Sequence, residues 1–66
     1  MATTITAGRW YVVSPGQPDP ADGKPMMATG DTVERGSQVY AAFYEPTAHL
    51  THWIPPTRMQ PAEQPR

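Results

Sequence analysis

Apolar positions in this chain come in short runs divided by proline- and glycine-bearing segments. The first run, Arg9-Trp10-Tyr11-Val12-Val13, is rich in β-branched and aromatic residues and stops at Ser14-Pro15-Gly16, which predicts a short strand. Met26-Met27-Ala28-Thr29 resumes apolar character, and a weaker stretch, Asp31-Thr32-Val33, follows across Gly30. Glu34-Arg35-Gly36-Ser37 has the composition of a turn, and Gln38-Val39-Tyr40-Ala41-Ala42-Phe43-Tyr44 then runs to a stop at Glu45-Pro46. Alternation along this run sets Val39, Ala41 and Phe43 on one face and Tyr40, Ala42 and Tyr44 on the other. Both faces are apolar or aromatic, as in a central strand covered on both sides or one whose second face meets a partner. The last run, Leu50-Thr51-His52-Trp53-Ile54, is closed by Pro55-Pro56.

Between the first two runs, Pro15 to Pro25 hold four prolines, and proline's fixed φ and missing N–H exclude a helix interior or a central strand there. The segment reads as a surface loop, with Ala21-Asp22-Gly23-Lys24 as its tight turn. From Pro55 to Arg66 four more prolines among polar residues predict an extended, polyproline-like end. No proline-free window of ten residues shows a helical period. The expected fold is mainly β: a small antiparallel sheet of three to four strands with a long Pro/Gly loop and an extended Pro-rich tail. Its expected organisation is one domain over residues 8–56, an N-terminal arm over 1–7 and a flexible tail over 57–66. Trp10, Val12, Val39, Phe43 and Trp53 are the expected core. Tyr11, Tyr40 and Tyr44, surplus to a one-sided core, are the expected contact residues for a protein partner, with the Pro15–Pro25 loop as a second surface.

Composition sharpens this picture. The chain has 66 residues, too few for more than one domain, and a domain of that size buries only about 60% of the surface its unfolded form exposes. Leu, Ile, Val and Phe together number only eight, a level associated with disorder when net charge is high, but the net charge is −1. Thin stability in turn predicts self-association through the second face of Gln38–Tyr44. The five basic residues, Arg9, Lys24, Arg35, Arg58 and Arg66, are scattered singly, which argues against direct DNA or RNA binding. The six acidic residues are as dispersed, which argues against a mimic of the DNA backbone.

Candidate chemistry is sparse. The chain has no cysteine, hence no thiol nucleophile, thiolate zinc site or disulfide, and small secreted domains usually rely on disulfides; a cytoplasmic setting is expected. The first six residues show neither the basic nor the apolar region of a signal peptide, and no apolar run approaches the ~20 residues of a membrane span. His49 and His52 share metal-ligand spacing on a helix but fall on opposite faces of a strand, with no third His or Cys. Asp19, Asp22 and Asp31 lack the ligand spacing and closing glutamate of a calcium loop. Ser14 and Ser37 occur outside any Gly-x-Ser-x-Gly elbow. The expectation is therefore no enzyme, no cofactor and no metal.

At Thr51-His52-Trp53-Ile54-Pro55 the sequence resembles a family of small phage and prophage proteins of unknown function that close with Thr-His-Trp-Met-Pro and further prolines. The likeness covers about Trp10 to Pro61: Trp10 opens, Pro18, Pro20 and Gly23 fill the loop, and Ala42-Phe43-Tyr44 ends the hairpin. Where the family has Leu-Pro after the pentad, this chain has Pro56-Thr57. The resemblance implies a non-enzymatic phage accessory protein expressed in the host cytoplasm. The expected activity is stoichiometric binding to a host or phage protein, for instance an anti-CRISPR-like inhibitor of host defence. The alternatives are a virion or capsid decoration component and a small nucleic-acid module.

Overall fold

A computed structural model of the chain describes residues 4–64. The described residues form five strands, β1 (Trp10–Val13), β2 (Met26–Arg35), β3 (Gln38–Glu45), β4 (Leu50–Ile54) and β5 (Met59–Pro61), with a 3-10 turn at Pro56–Arg58. All five join in one antiparallel sheet of order β4-β3-β2-β1-β5. The fold is mainly β, as the apolar runs require, with one strand more than they reveal.

Turn chemistry sets the connections. In the Pro15–Pro25 loop, the N–H of Lys24 donates to the carbonyl of Ala21 at 3.1 Å, and the two central residues, Asp22 and Gly23, both hold positive φ (56° and 84°). That sign pair is what an Asp-Gly I′ turn needs. The Asp19 carboxylate braces the turn by accepting from the N–H groups of Ala21 (2.9 Å) and Gly23 (2.7 Å), and Ala21 itself drops into the core. The weak stretch expected around Gly30 is instead part of one ten-residue strand, β2, whose pairing with β3 slips between Ala28 and Thr32. Gly30 sits in that bulge at φ 99°, where an added Cβ would lie 3.1 Å from the Cβ of Ala7, so glycine is what lets the N-terminal segment cross β2.

One face of the sheet makes the core. Tyr11, Val13, Met26, Ala28, Ala41, Phe43, Ile54 and Met59 are all buried there, with Phe43 and Met26 completely enclosed. Tyr11 meets Phe43 edge to face at a centroid distance of 5.8 Å. This corrects the assignment of β1. Tyr11, expected on the surface, is 4% exposed, while Trp10 and Val12, expected in the core, are half-buried on the opposite face. The register Tyr11↔Met26 decides which face turns inward, and the hydroxyl tolerates burial because it accepts from the N–H of Thr6 (2.8 Å) and donates to the carbonyl of Thr4 (3.3 Å). Val39 and Trp53 also leave the expected core, being 42% and 49% exposed. Val39 has inward parity but lies near the tip of the β2–β3 hairpin, past the end of the packed interior. On β4 it is Ile54, paired with Ala41, that points inward, so Trp53 points out.

The arm and the tail are corrected too. Gly8 N–H bonds to the Ala28 carbonyl at 2.8 Å, and Ile5 packs on the core, so residues from Thr4 onward belong to the domain. At the other end β5 pairs with β1 (Val13↔Met59, Val12↔Gln60, Tyr11↔Pro61), and Met59 is 1% exposed. Residues 1–3 of the expected arm and 65–66 of the expected tail lie outside the described residues. A flat five-stranded sheet would hold its edges about 19 Å apart. The five-residue step from Ile54 to Met59, three of its residues in the 3-10 turn, covers only about 13 Å. The sheet is therefore curled, with the turn packed against β3.

Met59→Ala should destabilise the domain by about 2–5 kcal/mol, as for other large buried side chains cut to Ala. Gln60→Ala, on the exposed side of the same strand, should change stability by less than about 0.5 kcal/mol. Urea unfolding followed by tryptophan fluorescence measures both; a tail outside the domain would leave the two variants alike.

Candidate protein-binding face

The register fixes what the outer face of the sheet displays. Across β2 and β3, Val33 pairs with Tyr40 and Arg35 with Gln38; across β3 and β4, Ala42 pairs with Trp53 and Tyr44 with Thr51; across β1 and β2, Trp10 pairs with Met27. Pairs directly opposite share a face, so these residues form one continuous outer surface. It carries Trp10, Val12, Met27, Val33, Tyr40, Tyr44 and Trp53, all half-buried except Trp53, which is 49% exposed. Ala42, between Tyr40 and Tyr44 on its strand and opposite Trp53, is 1% exposed beneath these larger neighbours.

Val33, Arg35, Tyr40 and Trp53 line an open cleft of about 460 Å³ on this face. It sits where the β2–β3 hairpin outruns β4: β4 pairs with β3 only from Ala41 to Glu45 and ends at Ile54, whereas β3 begins at Gln38. Arg35 carries no ion pair among the described residues. The cleft therefore joins two aromatic surfaces to one unneutralised cation. A smaller hollow of about 250 Å³ lies between the N-terminal segment and the end of β5, lined by Arg9, Trp10 and Pro61 among others.

Of the expected contact residues, Tyr40 lines the cleft, Tyr44 lies on the same face and hydrogen-bonds to His49 Nδ1 at 3.0 Å, and Tyr11 is in the core. Val33, Arg35 and Trp53 are the members sequence reasoning missed. Parity shows that only one of the neighbours Trp53 and Ile54 can face inward, and the register with Ala41 decides which. Arg35 carried no usable signal, because a turn-flanking arginine is ordinary until strand lengths show what lies beside it.

At the opposite end of β3 a second polar group was also missed. Glu45 continues the inward series Ala41, Phe43, Glu45 and is 5% exposed. His52 Nε2–H donates to its Oε1 at 2.9 Å and the Thr47 hydroxyl to its Oε2 at 3.0 Å, which ties the β3–β4 turn to β4. The hydrogen bond from His52 foremost, then that from Thr47, holds the carboxyl below its ordinary value of 4.5, against an upward push from burial. His49, in the turn at φ 54°, is exposed and His52 is committed to Glu45; among the described residues no group of three or more His, Cys, Asp or Glu is placed to hold a metal ion. No helix among the described residues is long and apolar enough to cross a membrane.

Compared with profiles of known protein families, with curated protein sequences and with solved structures, the chain matches none.

Because folding lowers the Glu45 pKa, its stabilisation is complete above pH 4.5 and is lost as pH falls below that value. Glu45→Gln cannot titrate, so the stability gap between wild type and this variant should be present above pH 4.5 and close as pH falls below it, as measured by urea midpoints across pH. A gap unchanged down to pH 2 would contradict the assignment.

Proposed function

We propose that the chain is a non-enzymatic, phage-type accessory protein that works by stoichiometric binding of a host or phage protein through its outer aromatic face. The observation that carries this reading is the cleft of Tyr40, Trp53, Val33 and Arg35. Trp, Tyr and Arg are the residues that most often dominate binding energy at protein interfaces, and here they converge on one opening with half a tryptophan left uncovered. The register that turns Ile54 inward leaves Trp53 outside, and at 49% exposure it offers a partner apolar area to bury.

Inhibition of a host defence component fits this mode of action, since occupying a surface needs no catalytic group. The resemblance at Thr51–Pro55 supports the phage origin and a cytoplasmic site of action in the host. A virion component would use a free proline-rich arm to dock on a neighbour, and the docking of Met59–Pro61 in the chain's own sheet weakens that alternative. The nucleic-acid alternative has one cation, Arg35, among the register-paired positions of the outer face, against the several phosphate contacts such binding uses.

Tagged wild-type protein should recover one partner at stoichiometric yield from host lysate. Trp53→Ala and Tyr40→Ala should each weaken capture by roughly 2 kcal/mol, about thirtyfold, with unchanged circular dichroism. Equal recovery by the double variant would refute the outer face as the binding surface.

A further inference from the structure

The cleft coincides with an interrupted strand position. β4 lies beside β3 from Glu45 back to Ala41, where Pro55 follows Ile54 and turns the chain away toward β5. The next three residues of β3, Gln38, Val39 and Tyr40, pair with β2 on one side and, among the described residues, have no strand on the other. The carbonyl of Val39 accepts a hydrogen bond from the side chain of its own neighbour, Gln38 Nε2, at 3.1 Å, a local substitute for a ladder partner. The opposite edge of the sheet is guarded differently: β5 has three residues, and its last, Pro61, has no N–H to offer.

We propose that this notch receives an extended, carboxylate-bearing segment of a partner protein, which continues the line of β4 alongside Gln38–Tyr40. The proposal rests on the outer-face reading above and specifies its mode and partner chemistry. A strand laid there would lie about 4.8 Å from β3, with alternate side chains on the two faces. Its outward side chains enter the cleft between Trp53 and Tyr40, and its inward ones meet Val39, which explains why an apolar residue of inward parity is 42% exposed at the hairpin. Arg35 sits on the next strand, opposite Gln38 and two strand spacings, roughly 10 Å, from the added backbone. Extended Arg and Glu side chains span that gap. Charge selects the occupant: every register-paired outward position except Arg35 is neutral, and β4 carries no Asp or Glu, so neither the outer face nor β4 of a second copy could neutralise Arg35.

The test is selection of a random decapeptide library on the immobilised full chain, followed by hydrogen exchange of the chain with a selected peptide bound. Selected peptides should alternate apolar residues and carry Asp or Glu at one fixed position. Bound peptide should slow exchange at residues 38–40 and leave β5 unchanged. Arg35→Glu should weaken the acidic peptides at least about tenfold and select Lys or Arg at the same position. The proposal is overturned by selected peptides with no acidic preference, by protection elsewhere on the sheet, by failure to select any peptide, or by a dimer in sedimentation whose residues 38–40 are protected without peptide. Partner capture from lysate that needs Trp53 and Tyr40 but is indifferent to Arg35→Glu would leave the outer-face reading intact while removing this one.

Discussion

The chain crosses from one edge of its sheet to the other in the five residues between Ile54 and Met59, and that short crossing governs the rest of the molecule. It forces the sheet to curl, and curling lets a single layer of five short strands enclose its own inner face. Among the described residues, six buried hydrophobic side chains larger than alanine fill that interior: Tyr11, Val13, Met26, Phe43, Ile54 and Met59. Two come from the middle strands, one from each of β4 and β5, and two from β1. Removing the crossing would open the enclosure from both edges at once.

Curling has a second consequence. Alanine at 28 and 41 lets the strands close around Phe43, and the outer surface is left with the bulky residues that the interior has no room for: Trp10, Tyr40, Tyr44 and Trp53. The same proline that starts the crossing, Pro55, stops β4 before β3 has run its length. Closure of the core and the notch beside Gln38–Tyr40 thus share one cause. The stabilising polar groups lie elsewhere, with Asp19 in the loop and Glu45 with His52 and Thr47 at the far end of β3. Around the cleft the polar side chains of the outer face make few bonds among the described residues, Tyr44 to His49 and Gln38 to the Val39 carbonyl, which suits the face to contact with another molecule.

Local patterns carried much of the fold. The strand at Leu50–Ile54 matched its predicted limits, β1 and β3 came within a residue, and the Asp22-Gly23 turn followed from the left-handed conformations those residues tolerate. Alternation along β3 correctly divided Phe43 and Ala41 from Tyr40 and Ala42. For the candidate site, the sequence made Tyr40 legible as a surplus aromatic on the second face. It offered nothing for Arg35, and it misplaced Tyr11 and Trp53 because short strands carry two faces of similar hydrophobicity and composition does not rank them.

By itself, then, the sequence determined element type and position wherever a backbone preference is local: β-branched and aromatic runs make strands, and Asp-Gly and Pro-rich stretches make turns and breaks. The tertiary structure alone decided which face of β1 and β4 turned inward, since that depends on the register Tyr11↔Met26 and Ala41↔Ile54 between distant segments. It also decided the fate of the proline-rich end. Met59-Gln60-Pro61 has no strand signature of its own, and it becomes β5 only because the crossing delivers it to the open edge of β1, where Met59 finds a buried site and the backbone finds its hydrogen bonds.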